Sequence, residues 1–176
     1  MIVVTTGTNE QPFDRLVRAA AQLGGDEELL VQYGSSREER AAGTWVDFLP
    51  FDELESAMRR ARVVVSHAGV GSIMLARRCA KVPIVMPRRL AAGEAVDDHQ
   101  HSLAVRLAAL GVVDLVEDER ELAELVRART TTPASIAAAA LDAGTLVTEL
   151  RGYFETLATP AREPLLIDPP AEAIAG

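Results

Sequence analysis

The chain has 176 residues, one cysteine, and a formal charge of −8 with a pI near 4.9. A single domain of that length buries about 70% of its unfolded surface, so its core needs no covalent or metal staple. One cysteine, Cys79, excludes an internal disulfide and a multi-cysteine zinc site, and the acidity argues against a nucleic-acid partner held by general phosphate attraction.

Aromatic residues make up only 4% of the chain, so the core must be built from Ala, Val, Leu and Ile. The N-terminal run Ile2–Thr5 is too short and lacks the basic leader of a signal peptide. No apolar run approaches the ~20 residues that span a bilayer. A soluble, cytoplasmic protein is the expectation.

Short β-branched runs recur along the chain: Ile2–Thr5, Leu29–Tyr33, Trp45–Leu49, Val63–Ser66, Pro83–Met86 and Val112–Val116. They are apolar without clean alternation, as strands covered on both faces are. Between them the period becomes helical. Phe13, Leu16, Val17, Ala20 and Leu23 form one apolar stripe, and Leu103, Leu107 and Leu110 form another that Gly111 should stop. Asp52-Glu53-Leu54-Glu55 and Asp118-Glu119-Arg120-Glu121 read as capping-box variants that open helices. Strand–helix alternation predicts a Rossmann-like, doubly wound parallel α/β sheet of six strands over residues 1–131.

The last third changes character. Thr132-Pro133 reads as the start of an Ala-rich helix, and Val147, Leu150, Phe154 and Leu157 continue an apolar face that Gly144 and Gly152 interrupt. Residues 132–159 are therefore expected to be a helical segment and 160–176 a Pro- and Ala-rich tail. The apolar face fits either this chain's own sheet or a partner subunit.

In open α/β sheets ligands bind beyond the carboxyl ends of the strands. After the first run, Thr6-Gly7-Thr8 forms a small polar loop suited to a phosphate, as any strand-to-helix turn of this composition is. After the fourth, His67-Ala68-Gly69-Val70-Gly71-Ser72 joins two close glycines to a helix start. That combination suits a diphosphate, while the alternative for His67 is a histidine bonding to the strand end. It is not the dinucleotide pattern G-x-G-x-x-G, because Met74 stands at the third glycine position. After the fifth, a long loop through Arg88, Arg89, Glu94, Asp97 and Asp98 enters a helix with His99 and Gln100, side chains suited to sugar hydroxyls. Asp98 alone could be a helix cap. Metal binding by Asp97, Asp98, His99 and His101 is the weaker reading, because no histidine pair sits at i, i+4. No serine lies in a nucleophile-elbow pattern, which argues against a hydrolase triad.

Together the segments Val3–Thr8, Val65–Ser72 and Met86-Pro87-Arg88-Arg89 through Asp98-His99-Gln100 resemble the family 28 glycosyltransferase C-terminal domain. More narrowly, they are similar to the small donor-binding subunits of two-chain glycosyltransferases of exopolysaccharide or dolichol-linked oligosaccharide synthesis. The resemblance covers about residues 1–130. It implies one half of a GT-B fold, a UDP-sugar donor, no cofactor and no essential metal. It further implies a membrane-associated partner that binds the acceptor and supplies the general base, with this chain peripheral to the membrane only through that partner.

By the same resemblance His67, Gly69, Gly71 and Ser72 hold the diphosphate, and Gln100 with His99 faces the sugar. Leu49 meets the base, within a wall formed by Phe48-Leu49-Pro50-Phe51. The loop Thr6-Gly7-Thr8 lies across the cleft. Many relatives carry an acidic residue where this chain has Leu75, which leaves Glu94 as the candidate for the ribose. The lost acid also motivates the alternative of a noncatalytic nucleotide-sugar-binding or regulatory subunit. A sugar epimerase of similar architecture would need a second domain.

Overall fold

The computed structural model describes residues 1–25, 27–38, 42–129, 148 and 150–152. Six strands form one sheet: β1 (Ile2–Thr5), β2 (Leu29–Gln32), β3 (Thr44–Val46), β4 (Val63–His67), β5 (Ile84–Met86) and β6 (Asp114–Leu115). All pairs are parallel, in the order β3-β2-β1-β4-β5-β6. The chain starts in the middle, winds out through β2 and β3, then returns to β4 on the other side of β1. The direction of winding reverses between β1 and β4, and a crevice opens there at the carboxyl ends.

Helices that cover the sheet among the described residues are α1 (Asp14–Ala21), α2 (Phe51–Arg60), α3 (Val70–Arg78), α4 (His99–Ala109) and α5 (Glu119–Ala128). The strands' pleat divides their side chains. Ile2, Val4, Val63 and Val65 face Phe13 and Leu16 near α1 and Leu122 and Val126 of α5. Val3 and Val64 turn the other way, onto Ala57 and Met58 of α2 and Leu75 and Ala76 of α3. Both faces are buried, which explains why the runs are continuously apolar. A third cluster packs Val85 with Ile73 of α3 and Leu103 and Leu107 of α4.

Two strands are shorter than their sequence runs. The Trp45–Leu49 run pairs only over Thr44–Val46, and the Val112–Val116 run only over Asp114–Leu115. Both are edge strands, and their single neighbours, β2 and β5, run out of partners. Val112, Val113 and Val116 are nevertheless buried, so their apolarity reports burial rather than strand length.

The helix starts also separate. Asp118 caps α5, its carboxylate accepting the Arg120 N–H at 3.0 Å, as the capping pattern predicts. Asp52 does not cap α2. Pro50 occupies that position without a side-chain bond, and Asp52 instead sits in the first turn, where its charge favours the helix dipole. Asp98 occupies the cap position of α4, but its carboxylate accepts the Leu90 N–H at 3.1 Å rather than serving the helix. Gly111 ends α4 as expected, with the Val112 N–H closing back to the Leu107 carbonyl.

Thr132-Pro133, Gly144, Val147, Phe154, Leu157 and the 160–176 tail lie outside the described residues. Leu150 is described, and it is buried in this chain's own cluster with Val85 and Leu103.

Candidate functional site

A cleft of about 380 Å³ lies at the β1/β4 crevice. Its polar side is built by two loops. After β1, Gly7 turns with φ 77°, a left-handed conformation that disfavours any side chain. The turn is pinned from β2 and β1: Gln32 Nε2 donates to the Gly7 carbonyl at 3.3 Å, while Thr5 Oγ1 accepts the Gly7 N–H at 3.1 Å. Thr5 Oγ1 in turn donates to Gln32 Oε1 at 3.3 Å. Gln32 and Thr5 are buried, and both reach the cleft lining.

After β4, His67 projects between two glycines. A Cβ on Gly7 would lie 2.4 Å from the His67 Cε1, and one on Gly69 would lie 2.0 Å from its Nε2. These glycines make room for an imidazole. Gly71 differs, with nothing within 4 Å of a built Cβ, and it opens onto the cleft. The first bond of α3 runs from the Ile73 N–H to the Gly69 carbonyl. The N–H groups of Val70, Gly71 and Ser72 therefore precede the helical ladder, and no side chain caps them. With the dipole of α3 behind them, they form an anion-binding end.

Burial pushes the His67 imidazole down to about 4, the nearby Arg88 charge pushes the same way, and a bond with the Thr5 backbone opposes them in part. At neutral pH His67 is uncharged. The ring therefore offers a ligand a neutral N–H or a lone pair rather than a charged donor. Its Nδ1 is buried without a hydrogen-bond partner.

The other wall is apolar. Leu49, Leu54 and Leu75 line it, with Phe48 and Phe51 at the rim, 59% and 56% exposed. Such a wall suits the flat face of a base.

Residues 1–147 match the model of the "Glycosyltransferase family 28 C-terminal domain". The chain belongs to that family. A curated relative, the UDP-N-acetylglucosamine transferase subunit ALG13 of Yarrowia lipolytica, is 30% identical over 123 residues, which are 61% of this chain and 60% of that protein. Among solved structures, the calicheamicin glycosyltransferase CalG4 superposes with a TM-score of 0.59 at 16% identity, covering 90% of this chain and 44% of CalG4. The spinosyn forosaminyltransferase SpnP gives 0.59 at 17%, over 89% and 43%. SnogD from Streptomyces nogalater gives 0.53 at 19%, over 88% and 39%. The fold is that of one half of a GT-B glycosyltransferase. The chain spans less than two thirds of the length of each of these relatives.

Within this family 28 domain, Gly7, Thr8, Leu49, His67, Gly71 and Ser72 come together at one cleft. Thr6, Gly69, Glu94, His99 and Gln100 do not line it. Thr6 is buried, its hydroxyl donating to the Gln32 carbonyl at 3.2 Å, so it secures the loop from behind. Gly69 makes space for the imidazole.

Glu94 is the clearest correction. One oxygen accepts from Arg15 at 2.9 Å and from the Arg89 N–H at 3.0 Å, and the other accepts from Arg15 Nε at 3.2 Å. A carboxylate so occupied, 5% exposed and off the cleft, is a loop anchor rather than a ribose ligand. His99 Nδ1 lies 2.9 Å from Asp97, and Gln100 Oε1 accepts the Arg88 N–H at 3.4 Å. His101 pairs with Glu117 at 2.5 Å. Among the described residues, no group of three or more His, Cys, Asp or Glu gathers to hold a metal.

Sequence reasoning passed over Thr5, Gln32 and Leu54. Gln32 carries a signal, because an amide at the end of an otherwise aliphatic buried run needs a partner.

Proposed function

We propose that this chain is the donor-binding subunit of a UDP-sugar-dependent glycosyltransferase, acting with a separate membrane-associated chain that binds a lipid-linked or saccharide acceptor. The observation that carries the reading is the meeting, at one crevice, of the Gly7 turn, the His67 imidazole and the three free N–H groups of α3. The name of the Yarrowia relative, a UDP-N-acetylglucosamine transferase subunit, supports both a UDP-linked donor and a second chain.

The base lies against Leu49 and Phe51, and the diphosphate lies on Gly71 and Ser72 beside His67. Gln100 with His99, on the first turn of α4, contacts the transferred sugar. The acceptor hydroxyl attacks the anomeric carbon from the face opposite UDP. That bond forms as the carbon–oxygen bond to the β-phosphate breaks, so the configuration inverts. The electron pair leaves with UDP, and the hydroxyl proton passes to a base on the acceptor-binding chain. The oriented N–H groups stabilise the charge that develops on UDP, without a resident metal. Among the described residues no helix is long and apolar enough to cross a membrane; this reading assigns membrane attachment to the partner.

The test is transfer of labelled sugar from UDP-N-acetylglucosamine to lipid-linked acceptor, with the acceptor-binding chain present or omitted. Product is expected only when both chains are present. Donor binding without transfer in any combination would instead favour the noncatalytic nucleotide-sugar-binding role, and absence of donor binding contradicts both.

A further inference from the structure

Arg88 is 1% exposed, the least exposed charged side chain among the described residues, and it does not touch the cleft. Its guanidinium is held in a cage of backbone carbonyls. Nη1 donates to Gln11 at 2.8 Å, to Glu94 at 2.9 Å and to Pro12 at 3.4 Å, while Nη2 donates to Thr6 at 2.9 Å. Its Cζ lies 4.7 Å from the centre of the Phe13 ring. Its own backbone N–H holds Gln100. Nε is buried without a partner.

The cage has a position in the fold. Arg88 follows β5 and Thr6 follows β1, and β4 lies between those strands. The guanidinium therefore ties the loops on either side of β4, the strand that ends in His67. Thr6 leads directly into Gly7, one side of the cleft. Desolvating a cation is costly, and an arginine is retained here because its planar fork alone reaches carbonyls in three chain segments at once.

We infer that Arg88 is the positioning residue of the donor cleft: it sets the Gly7 loop and Gln100 against the His67 loop, and so fixes the spacing between the groups proposed to grip the diphosphate and the sugar. This rests on the donor-site reading above. Lysine keeps the charge but places one nitrogen where two are needed. Methionine keeps much of the volume and removes charge and donors together.

The experiment compares wild type, R88K and R88M in titrations with UDP, alongside the His67 ring proton resonance followed against pH. Arg88 is the one charged group acting on His67 among the described residues, so its removal raises the His67 midpoint, whereas R88K leaves it near the wild-type value. UDP affinity is expected to fall at least fivefold in both variants. Loss in R88K with an unmoved His67 midpoint isolates positioning from charge. A folded R88K with less than a fivefold loss overturns the inference. If neither variant folds, the wild-type Arg88 Nε–H resonance decides: a shift on saturation with UDP supports the coupling, and no shift overturns it. If wild-type protein binds no UDP, the donor reading fails on its own. The inference is then judged by amide exchange at Gly7, which must accelerate in R88K for Arg88 to hold that loop, and unchanged exchange overturns it.

Discussion

The two ends of the sheet are built on opposite rules. At the amino ends, a smaller hollow of about 230 Å³ is lined in part by Glu27 and Arg62, and their polar atoms are used up. Arg62 Nη2 meets Glu27 Oε2 at 2.5 Å and its Nε lies 3.0 and 3.1 Å from the two oxygens, while Met1 N donates to Oε1 at 2.8 Å. Arg62 also donates to the carbonyls of Val126 and Arg129. At the carboxyl ends, the cleft holds His67, whose Nδ1 is buried without a partner, and three helix N–H groups that stand uncapped. A saturated ion pair stabilises a fold, whereas buried unpaired groups cost stability that a bound ligand can repay. Two hollows of one protein are thereby told apart by whether their polar groups are satisfied.

Acid should separate the two ends most. The His67 imidazole, held near 4 against an ordinary 6.5, refuses a proton that the unfolded chain accepts. Its contribution is complete above pH 6.5 and is lost as pH falls through about 4, a loss of up to about 3 kcal/mol. Glu27 is held near 2 against 4.5, chiefly by its bonds to Arg62. Its contribution is complete above pH 4.5 and is lost as pH falls towards 2, worth about 1 kcal/mol after solvent screening. Denaturant midpoints measured against pH should show H67Q flattening the higher window and E27Q the lower. Exchanged or unchanged windows would break the comparison.

Substitution of Gly69 comes next. In G69A the new methyl collides with His67, at a cost of about 1–3 kcal/mol of stability, and UDP affinity falls more than tenfold. Urea unfolding and calorimetry on one preparation read both effects. For H67A, loss of one neutral bond predicts about 0.5–1.5 kcal/mol of UDP binding, less than a charged donor would give.

Gly71 sharpens the contrast at the smallest cost. A methyl there meets nothing and lies within α3, so G71A should gain up to about 1 kcal/mol of stability while weakening UDP binding. Stability and binding moving together in G71A would place the ligand elsewhere.

The fold was legible in the sequence wherever a single local pattern was enough. Short apolar runs marked all six strands in order, because a sheet covered on both faces keeps most strand positions apolar, with polar residues such as Thr5, Gln32 and Ser66 near the strand ends. The cleft glycines and His67 were legible because two glycines beside a strand end need a reason. Partnerships across the chain were not. Nothing near Glu94 in sequence tells that Arg15, 79 positions away, claims its carboxylate, or that the Arg88 guanidinium reaches Thr6, 82 positions away. Asp98 shows the same limit: the cap role open to it in sequence is not taken, since its carboxylate accepts the Leu90 N–H instead of serving the helix it begins. A side chain's address is set by local pattern, while its partner is set by the folded loops.

The most direct measurement is a titration of the folded, isotope-labelled chain with UDP, followed by backbone amide resonances. Shifts are predicted at Gly7 and Thr8, at Leu49 and Phe51, and from His67 to Ser72, with Glu27 and Arg62 unmoved. Binding is expected to be weak on the two-chain reading proposed above, which assigns the acceptor-binding half of the cleft to a separate subunit. No shifts at millimolar UDP in folded protein, or shifts centred on Glu27 and Arg62, would contradict the assignment of the donor site to the carboxyl ends.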